Sequence, residues 1–165
     1  MAKNTCSFPL DVISVGDSAI DDFIRLLPDQ ASIEKTADGT SRLSMPYGTK
    51  LPFESSTVIY GAGNAANASV NFAKLGLRSG LISNLGNDAR GREVIEALDK
   101  KGVETYMVKL HTGKTTNYHY VMWYGADRTI LVRHEEYHYT WPHIAKREVP
   151  KWLYLSSVAE NALDV

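Results

Sequence analysis

The stretch GAGNAANASVNFAKLG, residues 61 to 76, decides the fold of this chain. Its glycines stand where a loop enters a helix, and such a loop lets a ligand approach bare backbone. Apolar residues then recur at helical spacing: Ala65, Ala68, Phe72 and Leu75. Gly76 supplies a left-handed stop at the end of the helix. An asparagine one turn inside offers both a donor and an acceptor. The stretch therefore predicts a binding site for a ligand rich in hydroxyls or phosphates.

Short apolar strands and a second helix surround this stretch. Residues 10 to 16 form an apolar run closed by a glycine, residues 81 to 85 form another, and a third strand starts at Val103. A helix with Asp88 as its predicted N-cap precedes that third strand. Strands and helices that alternate with short links predict an α/β fold with a parallel, Rossmann-like sheet and right-handed crossovers.

Two other segments depart from this alternation. Residues 28 to 56 are polar and punctuated by proline and glycine, which indicates an irregular excursion or a small β flap. From Tyr118 to Val132 the periodicity becomes two, with a turn at residues 125 to 128, and this predicts a β-hairpin with bulky residues on both faces. Two further elements are predicted: a short helix over residues 141 to 148 and a core strand over residues 152 to 157.

Composition excludes several classes of protein. Hydrophobic residues make up 44% and charged residues 22% of the 165, with a formal net charge of −1. These values indicate neither a disordered chain nor a nucleic-acid binder. No run approaches the roughly 20 consecutive apolar residues that span a bilayer, so no membrane role is predicted. The lone Cys6 forms no internal disulfide and the N-terminus lacks an apolar signal segment, which favours a cytoplasmic location.

Two motifs support alternative functions. Gly61-Ala62-Gly63 after a strand-like run fits the dinucleotide-binding fingerprint, but that fingerprint expects an acidic residue about 20 positions on, where this chain has Asn84. The run His134-Glu135-Glu136-Tyr137-His138 is a literal H-E-x-x-H, which on a helix would hold zinc, with Glu160 as a conceivable third ligand. Pro142 truncates any helix there, and residues 133 to 140 offer no aliphatic stripe to anchor one. The zinc peptidase is the least favoured alternative, and no metal site is predicted.

Four motifs in order carry a resemblance over almost the whole chain. The opening strand is followed by Gly16 and Asp21 in a G-x-x-x-x-D pattern, and residues 62 to 67 approximate G-G-x-x-A-N, with alanine in place of the first glycine. A G-x-D-x-x-G run and a G-x-x-R-T hairpin turn complete the set: residues 86 to 91, and Gly125, Arg128 and Thr129. Together they resemble the N-terminal half of the ribokinase-like (PfkB) carbohydrate kinase family.

The resemblance implies an architecture and a set of site residues. Residues 1 to 165 would be the N-terminal portion of one ribokinase-like domain, an incomplete domain whose lid segments, about 18 to 57 and 110 to 133, are inserted in an α/β core. The carboxylate of Asp21 would accept hydrogen bonds from sugar hydroxyls, Gly63 would let the ring sit against backbone, and Arg128 would neutralise an acidic substrate. The implied substrate-binding residues are Asp21, Gly63, Asn64, Asn67, Lys50, Tyr118, Tyr120 and Arg128.

The resemblance also implies a reaction that this chain cannot complete. The whole enzyme would transfer the γ-phosphate of ATP, with Mg²⁺, to a primary hydroxyl of a sugar or nucleoside. The family's catalytic aspartate belongs to a G-A-G-D motif that is absent here, so no catalytic residue is predicted and the chain alone is expected to be inactive. The lid would support a homodimer. A non-catalytic, lid-mediated dimer module is the competing hypothesis from another class.

Overall fold

The chain forms a mixed α/β structure in a computed structural model that describes residues 9–146 and 149–163. The helices are α1 (Asn64–Lys74) and α2 (Ala89–Lys100), followed near the end by a 3-10 turn at Glu160–Ala162. The strands are β1 (Val12–Val15), β2 (Ala19–Leu26), β3 (Ser32–Lys35), β4 (Ser41–Ser44), β5 (Phe53–Ala62), β6 (Ser79–Gly86), β7 (Val103–Glu104), β8 (Val108–His111), β9 (Tyr118–Tyr124), β10 (Asp127–Arg133) and β11 (Trp152–Leu155).

A parallel sheet is the centre of the α/β part. Its strand order is β11-β1-β6-β7, and β8 also pairs with β6. Val12 of β1 is in register with Trp152 on one side and with Ser79 on the other. Every residue of β1 and β6 is buried, as expected for parallel strands covered on both faces. The predicted α/β fold with a parallel sheet is confirmed.

Both predicted helices are present with the predicted ends. Helix α1 buries Ala65, Ala66 and Ser69, a face of small residues, and Gly76 follows it at φ 86°. Helix α2 begins after Asp88, whose carboxylate accepts the backbone N–H of Gly91 at 2.7 Å. The capping residue and the glycine stop were therefore predicted correctly from the sequence.

The chain divides into two compact units. Unit 1 takes the described residues of 1–20, 60–117 and 134–165 and contains the parallel sheet, and unit 2 takes residues 21–59 and 118–133. Unit 2 is built on an antiparallel sheet of order β10-β9-β2-β5 and includes the separate β3-β4 hairpin. The polar excursion and the aromatic hairpin of the sequence thus belong to one unit. Its role as a lid stays a prediction.

The structure corrects the helix predicted over residues 141 to 148. Residues 141 to 145 carry no helix, so the predicted short helix is wrong over that part, and Arg147 and Glu148 lie outside the described residues. Cys6 also lies outside the described residues. Across residues 9–146 and 149–163, no helix is long and apolar enough to cross a lipid bilayer.

Candidate substrate-binding site

The loop from β5 into α1 approaches the end of β1 closely within unit 1. Gly63 is the N-cap residue of α1 and has φ 100°, a left-handed conformation that favours glycine. A Cβ atom placed on Gly63 would lie 2.8 Å from the carbonyl oxygen of Asp17. The glycine that the sequence singled out is therefore required by backbone geometry, whatever its contact with a ligand.

Ser157, in the segment after β11, joins these same two elements. Its carbonyl oxygen accepts the backbone N–H of Asp17 at 3.0 Å, and its hydroxyl accepts a hydrogen bond from the Asn64 side chain at 3.1 Å. Gly16 allows the approach, because a Cβ there would lie 2.8 Å from the Ser157 carbonyl oxygen. Of the two predicted asparagines, Asn64 thus has a structural partner. Asn67 is exposed in the first turn of α1.

Asp17 is a candidate site residue that lies outside the sequence motifs. Its carboxylate accepts the Tyr139 hydroxyl at 3.1 Å, and burial raises the pKa of Asp17 above its ordinary value. A shifted pKa at a cleft is a common property of functional groups. In the sequence, the one indication of a functional role for Asp17 is its position directly after the glycine that ends the first strand.

A cavity of about 300 Å³ in unit 1 opens beside Asp17. It lies at the carboxyl ends of the parallel strands β1, β6 and β11, the edge at which open α/β sheets bind ligands. Its lining is mostly apolar, and the side chains with polar atoms among its lining residues are Asp17, Asn84, Tyr139, Thr140 and Trp141. The amide oxygen of Asn84 is already paired with His111 Nε2 at 2.8 Å.

Asp21 has a partner that the sequence did not predict. In unit 2, its Oδ1 lies 2.9 Å from Nδ1 of His119, and the two side chains are 24% and 16% exposed. Strands β2 and β9 are neighbours in the antiparallel sheet, which places these residues side by side. Asp21 therefore keeps one oxygen bonded to protein while its side chain stays accessible.

Alternation along the strands divides the predicted residues of unit 2 between two faces. Because successive side chains of a strand point to opposite faces, His119 and Trp123 share the face of Asp21, whereas Tyr118 and Tyr120 lie on the other. Arg128 is in register with Trp123, so it lies on the face of Asp21. The structure brings Arg128 and Asp21 to one face and separates both from the two tyrosines.

The opposite face holds a second, different carboxylate. Asp22 accepts the Tyr118 hydroxyl on Oδ2 at 3.0 Å, while its Oδ1 is buried and without a hydrogen-bond partner among the described residues. The Tyr118 and Tyr120 rings contact each other with centroids 5.1 Å apart. Lys50 is exposed in the loop before β5. Of the adjacent aspartates, Asp21 is the one whose geometry suits a ligand.

The structure overturns the zinc-peptidase alternative. Residues 134 to 138 form no helix, so the two histidines do not share a helical face. The Glu135 carboxylate is instead paired with the Lys114 ammonium at 3.1 Å and the Thr115 hydroxyl at 2.9 Å. Over the described ranges, no three His, Cys, Asp or Glu side chains are grouped to hold a metal.

The dinucleotide fingerprint also lacks its structural context. That motif requires a strand of the parallel sheet before the glycines. Here β5, which precedes Gly61 and Gly63, belongs to the antiparallel sheet as the neighbour of β2. The acidic position at the end of the next strand is occupied by Asn84, bonded to His111. The alternative of a dinucleotide-binding module is therefore wrong.

Comparison with solved structures defines the class of fold. A ribokinase of Arabidopsis thaliana, solved with ribose and ATP, matches with a TM-score of 0.57 and 21% identity over 76% of this chain and 36% of that one. A fructokinase of Halothermothrix orenii matches with a TM-score of 0.55 and 25% identity over 76% of this chain and 38% of that one. The chain has a ribokinase-like fold and spans little more than a third of these relatives' length.

Sequence comparison gives the family. The profile of the pfkB family of carbohydrate kinases matches residues 31–160. A curated protein of Pyrococcus horikoshii, named as a sugar kinase, is 37% identical over 70 residues, which are 42% of this chain and 23% of that protein. The chain belongs to the pfkB family, as the resemblance in its motifs predicted, and it represents part of a domain.

Proposed function

We propose that this chain is the substrate-binding portion of an ATP-dependent kinase that phosphorylates a primary hydroxyl of a sugar or nucleoside. Family membership supports the reaction class. The bound ribose and ATP belong to the solved Arabidopsis ribokinase and motivate the substrate class for this chain. The chain's share of its relatives' length, 36% and 38% for the two solved kinases, supports treating the activity as that of a longer protein.

The observation that carries the proposal is the state of the Asp21 carboxylate. One oxygen is held by His119, the side chain is 24% exposed, and no hydrogen bond to Oδ2 is found among the described residues. An ionised carboxylate oxygen accepts hydroxyl hydrogen bonds that are roughly twice as strong as neutral ones. Asp21 thus offers an acceptor suited to a polyol.

Further contacts of the proposal are ranked by geometry. Arg128 shares the face of Asp21 but its guanidinium lies 3.4 Å from the Asp127 carboxylate, so it remains a proposed contact for an acidic substituent on the strength of the family resemblance. Tyr118 and Tyr120 lie on the other face and are left out of this contact set. Four more residues remain proposed contacts on the strength of the family resemblance alone: Gly63, Asn64 and Asn67 of unit 1, and Lys50 of unit 2. Their positions in the structure give no evidence for or against a contact with the substrate.

ATP and Mg²⁺ are the cofactors proposed for the complete enzyme. Most of their binding site is expected to lie outside this chain. The carboxylate of Asp88 is occupied by Gly91 and Thr116, and that of Asp11 by Arg78 and Lys151. No step through the nucleotide or the metal is therefore assigned to residues of this chain, and the chain alone is expected to show no sugar-dependent ATP turnover.

Isothermal titration of this chain with D-ribose and with D-fructose tests the proposal. D21N removes the charge while keeping the shape, and we expect it to weaken binding about tenfold or more, since hydrogen bonds to charged groups contribute roughly 1.5–3 kcal/mol. D22N, on the same strand but on the opposite face, serves as the matched control and should leave the affinity unchanged. Equal affinities of D21N and the unmodified chain would contradict the role of Asp21.

A coupled ADP-release assay tests the second half of the proposal. The unmodified chain with ATP, Mg²⁺ and either sugar should release ADP no faster than without sugar. Sugar-dependent turnover would show that the phosphate-handling groups lie within these 165 residues after all.

The predicted homodimer is also retained as a proposal. Ile130, Leu131 and Val132 of β10 are 44%, 55% and 60% exposed. Three consecutive exposed aliphatic residues put apolar area on both faces of a hairpin, a pattern typical of an interaction surface. The proposed partner is a second copy of this chain.

A further inference from the structure

In unit 2, the imidazole of His119 is hydrogen-bonded to the Asp21 carboxylate, and that carboxylate is partly accessible to solvent. The Nδ1–Oδ1 distance of 2.9 Å is that of a good hydrogen bond. Both side chains are mostly buried, at 16% and 24% exposure, so water competes weakly for this bond. Neither the family signature nor the sequence motifs assign a role to His119.

We propose that His119 is a positioning residue for Asp21 in substrate binding. The imidazole donates its Nδ1–H to Oδ1, which fixes the rotation of the carboxylate and leaves Oδ2 as the acceptor for a hydroxyl. This inference rests on the proposed function, because it concerns the same carboxylate. A carboxylate that is already oriented loses less conformational entropy when the ligand binds.

Comparison with the neighbouring aspartate supports this assignment. Asp22 is also paired with a residue of β9, since Tyr118 donates its hydroxyl at 3.0 Å. In that pair, however, the remaining oxygen is buried and has no partner within the described part of the chain. The hydrogen bond from Tyr118 therefore holds Asp22 with its second oxygen buried, whereas the hydrogen bond with His119 leaves the Asp21 side chain partly accessible to a ligand.

The competing explanation is that His119 merely fills space beside β2. Two substitutions separate the explanations because they keep different properties of the ring. H119N retains an N–H donor near the position of Nδ1 but loses volume, whereas H119F retains a ring of similar size and loses the donor. A positioning role predicts that H119N binds sugar better than H119F, and a packing role predicts the reverse order.

Titration with D-ribose and D-fructose measures that order. H119F should lose about tenfold or more in affinity, and H119N about threefold or less, given the strength of hydrogen bonds to charged groups. His138 is exposed and lies in unit 1, so H138N and H138F provide the matched controls and should change the affinity less than twofold. Thermal melts of all four variants identify any that fail to fold.

Nitrogen NMR of the histidine rings gives a readout that packing alone would not move. At alkaline pH, His119 should show the neutral tautomer with the proton on Nδ1, and D21N should shift its two nitrogen signals while leaving those of His138 in place. A proton on Nε2, or unchanged signals in D21N, would overturn the pairing.

The outcomes separate the two proposals. If the unmodified chain binds sugar and H119F equals or exceeds H119N, the positioning role is wrong and the proposed function stands. If the unmodified chain binds neither sugar, both are wrong. If H119N exceeds H119F and the Nδ1 tautomer is seen, both are supported.

Discussion

Replacing Asp88 by alanine is expected to destabilise unit 1 by about 1.5–5 kcal/mol, from loss of a helix cap and loss of the hydrogen-bond partner of a buried donor. The Asp88 carboxylate accepts the Gly91 backbone N–H at 2.7 Å, which caps α2, and it accepts the backbone N–H and hydroxyl of Thr116 at 3.0 and 2.7 Å. Removing a capping side chain costs about 0.5–2 kcal/mol. Thr116 is 2% exposed, and a buried donor left without a partner costs about 1–3 kcal/mol more.

Urea denaturation followed by far-ultraviolet circular dichroism measures this free energy of unfolding. D88N is the informative companion. Asparagine caps helices about as well as aspartate, but its amide nitrogen cannot accept the Thr116 backbone N–H, so D88N should keep the cap and lose about 1–3 kcal/mol. D127A, at an exposed turn, is the control and should stay within about 0.5 kcal/mol of the unmodified chain. If the free energy of unfolding of D88A also stays within about 0.5 kcal/mol of that of the unmodified chain, Asp88 does not stabilise the fold through its hydrogen bonds to α2 and Thr116.

The pH dependence of this stabilisation has a definite sign. Burial alone would raise the pKa of Asp88, but the hydrogen bonds from Thr116 and Gly91 outweigh it, and the pKa lies below its ordinary value. A carboxyl group with a lowered folded-state pKa stabilises the fold above its unfolded pKa, about 3.9, and loses that contribution as pH falls through the folded value. The difference between the unmodified chain and D88A should therefore shrink below about pH 4.

Three further outcomes are expected. G63A should destabilise the chain by about 1–3 kcal/mol in the same urea titration, because alanine is strained at φ 100° and its Cβ would meet the Asp17 carbonyl oxygen; an unaffected midpoint would contradict that geometry. D17N should have a larger free energy of unfolding than the unmodified chain, because burial raises the pKa of Asp17 and disfavours its ionised form in the fold. The difference between the two free energies should increase as pH rises above about 4. A difference that does not change with pH would contradict this prediction. L131E should convert a dimer to a monomer in sedimentation velocity, whereas a monomeric unmodified chain would exclude the proposed dimer.

The parts of the fold set by local chemistry could be predicted from the sequence. Gly76 could be recognised as a helix stop because glycine adopts left-handed backbone conformations readily, and Asp88 as a cap because its side chain can accept a free N–H. The hairpin that contains Tyr118 could be recognised from its two-residue period. Each of these signals lies within a few residues of the feature that it specifies.

The parts that depend on distant pairing could not be predicted in this way. The pairing of β2 with β9 brings Asp21 to His119 across 98 residues, and no local pattern specifies that register. The same register separates Tyr118 from Asp21, although the family resemblance predicts that both contact one ligand. Asp17 was left out for a similar reason, since its partner Tyr139 lies 122 residues away. Long-range contacts therefore determined which of the candidate residues share a face.

Backbone NMR of the chain titrated with D-ribose and D-fructose tests the central claim most directly. The amides of Asp21 and His119 should shift with one sugar along a single binding curve, whose midpoint agrees with the calorimetric affinity and moves to higher sugar concentration in D21N. Unshifted Asp21 and His119 amides at saturating sugar, or the same midpoint in D21N, would contradict the assignment of this carboxylate as the sugar ligand.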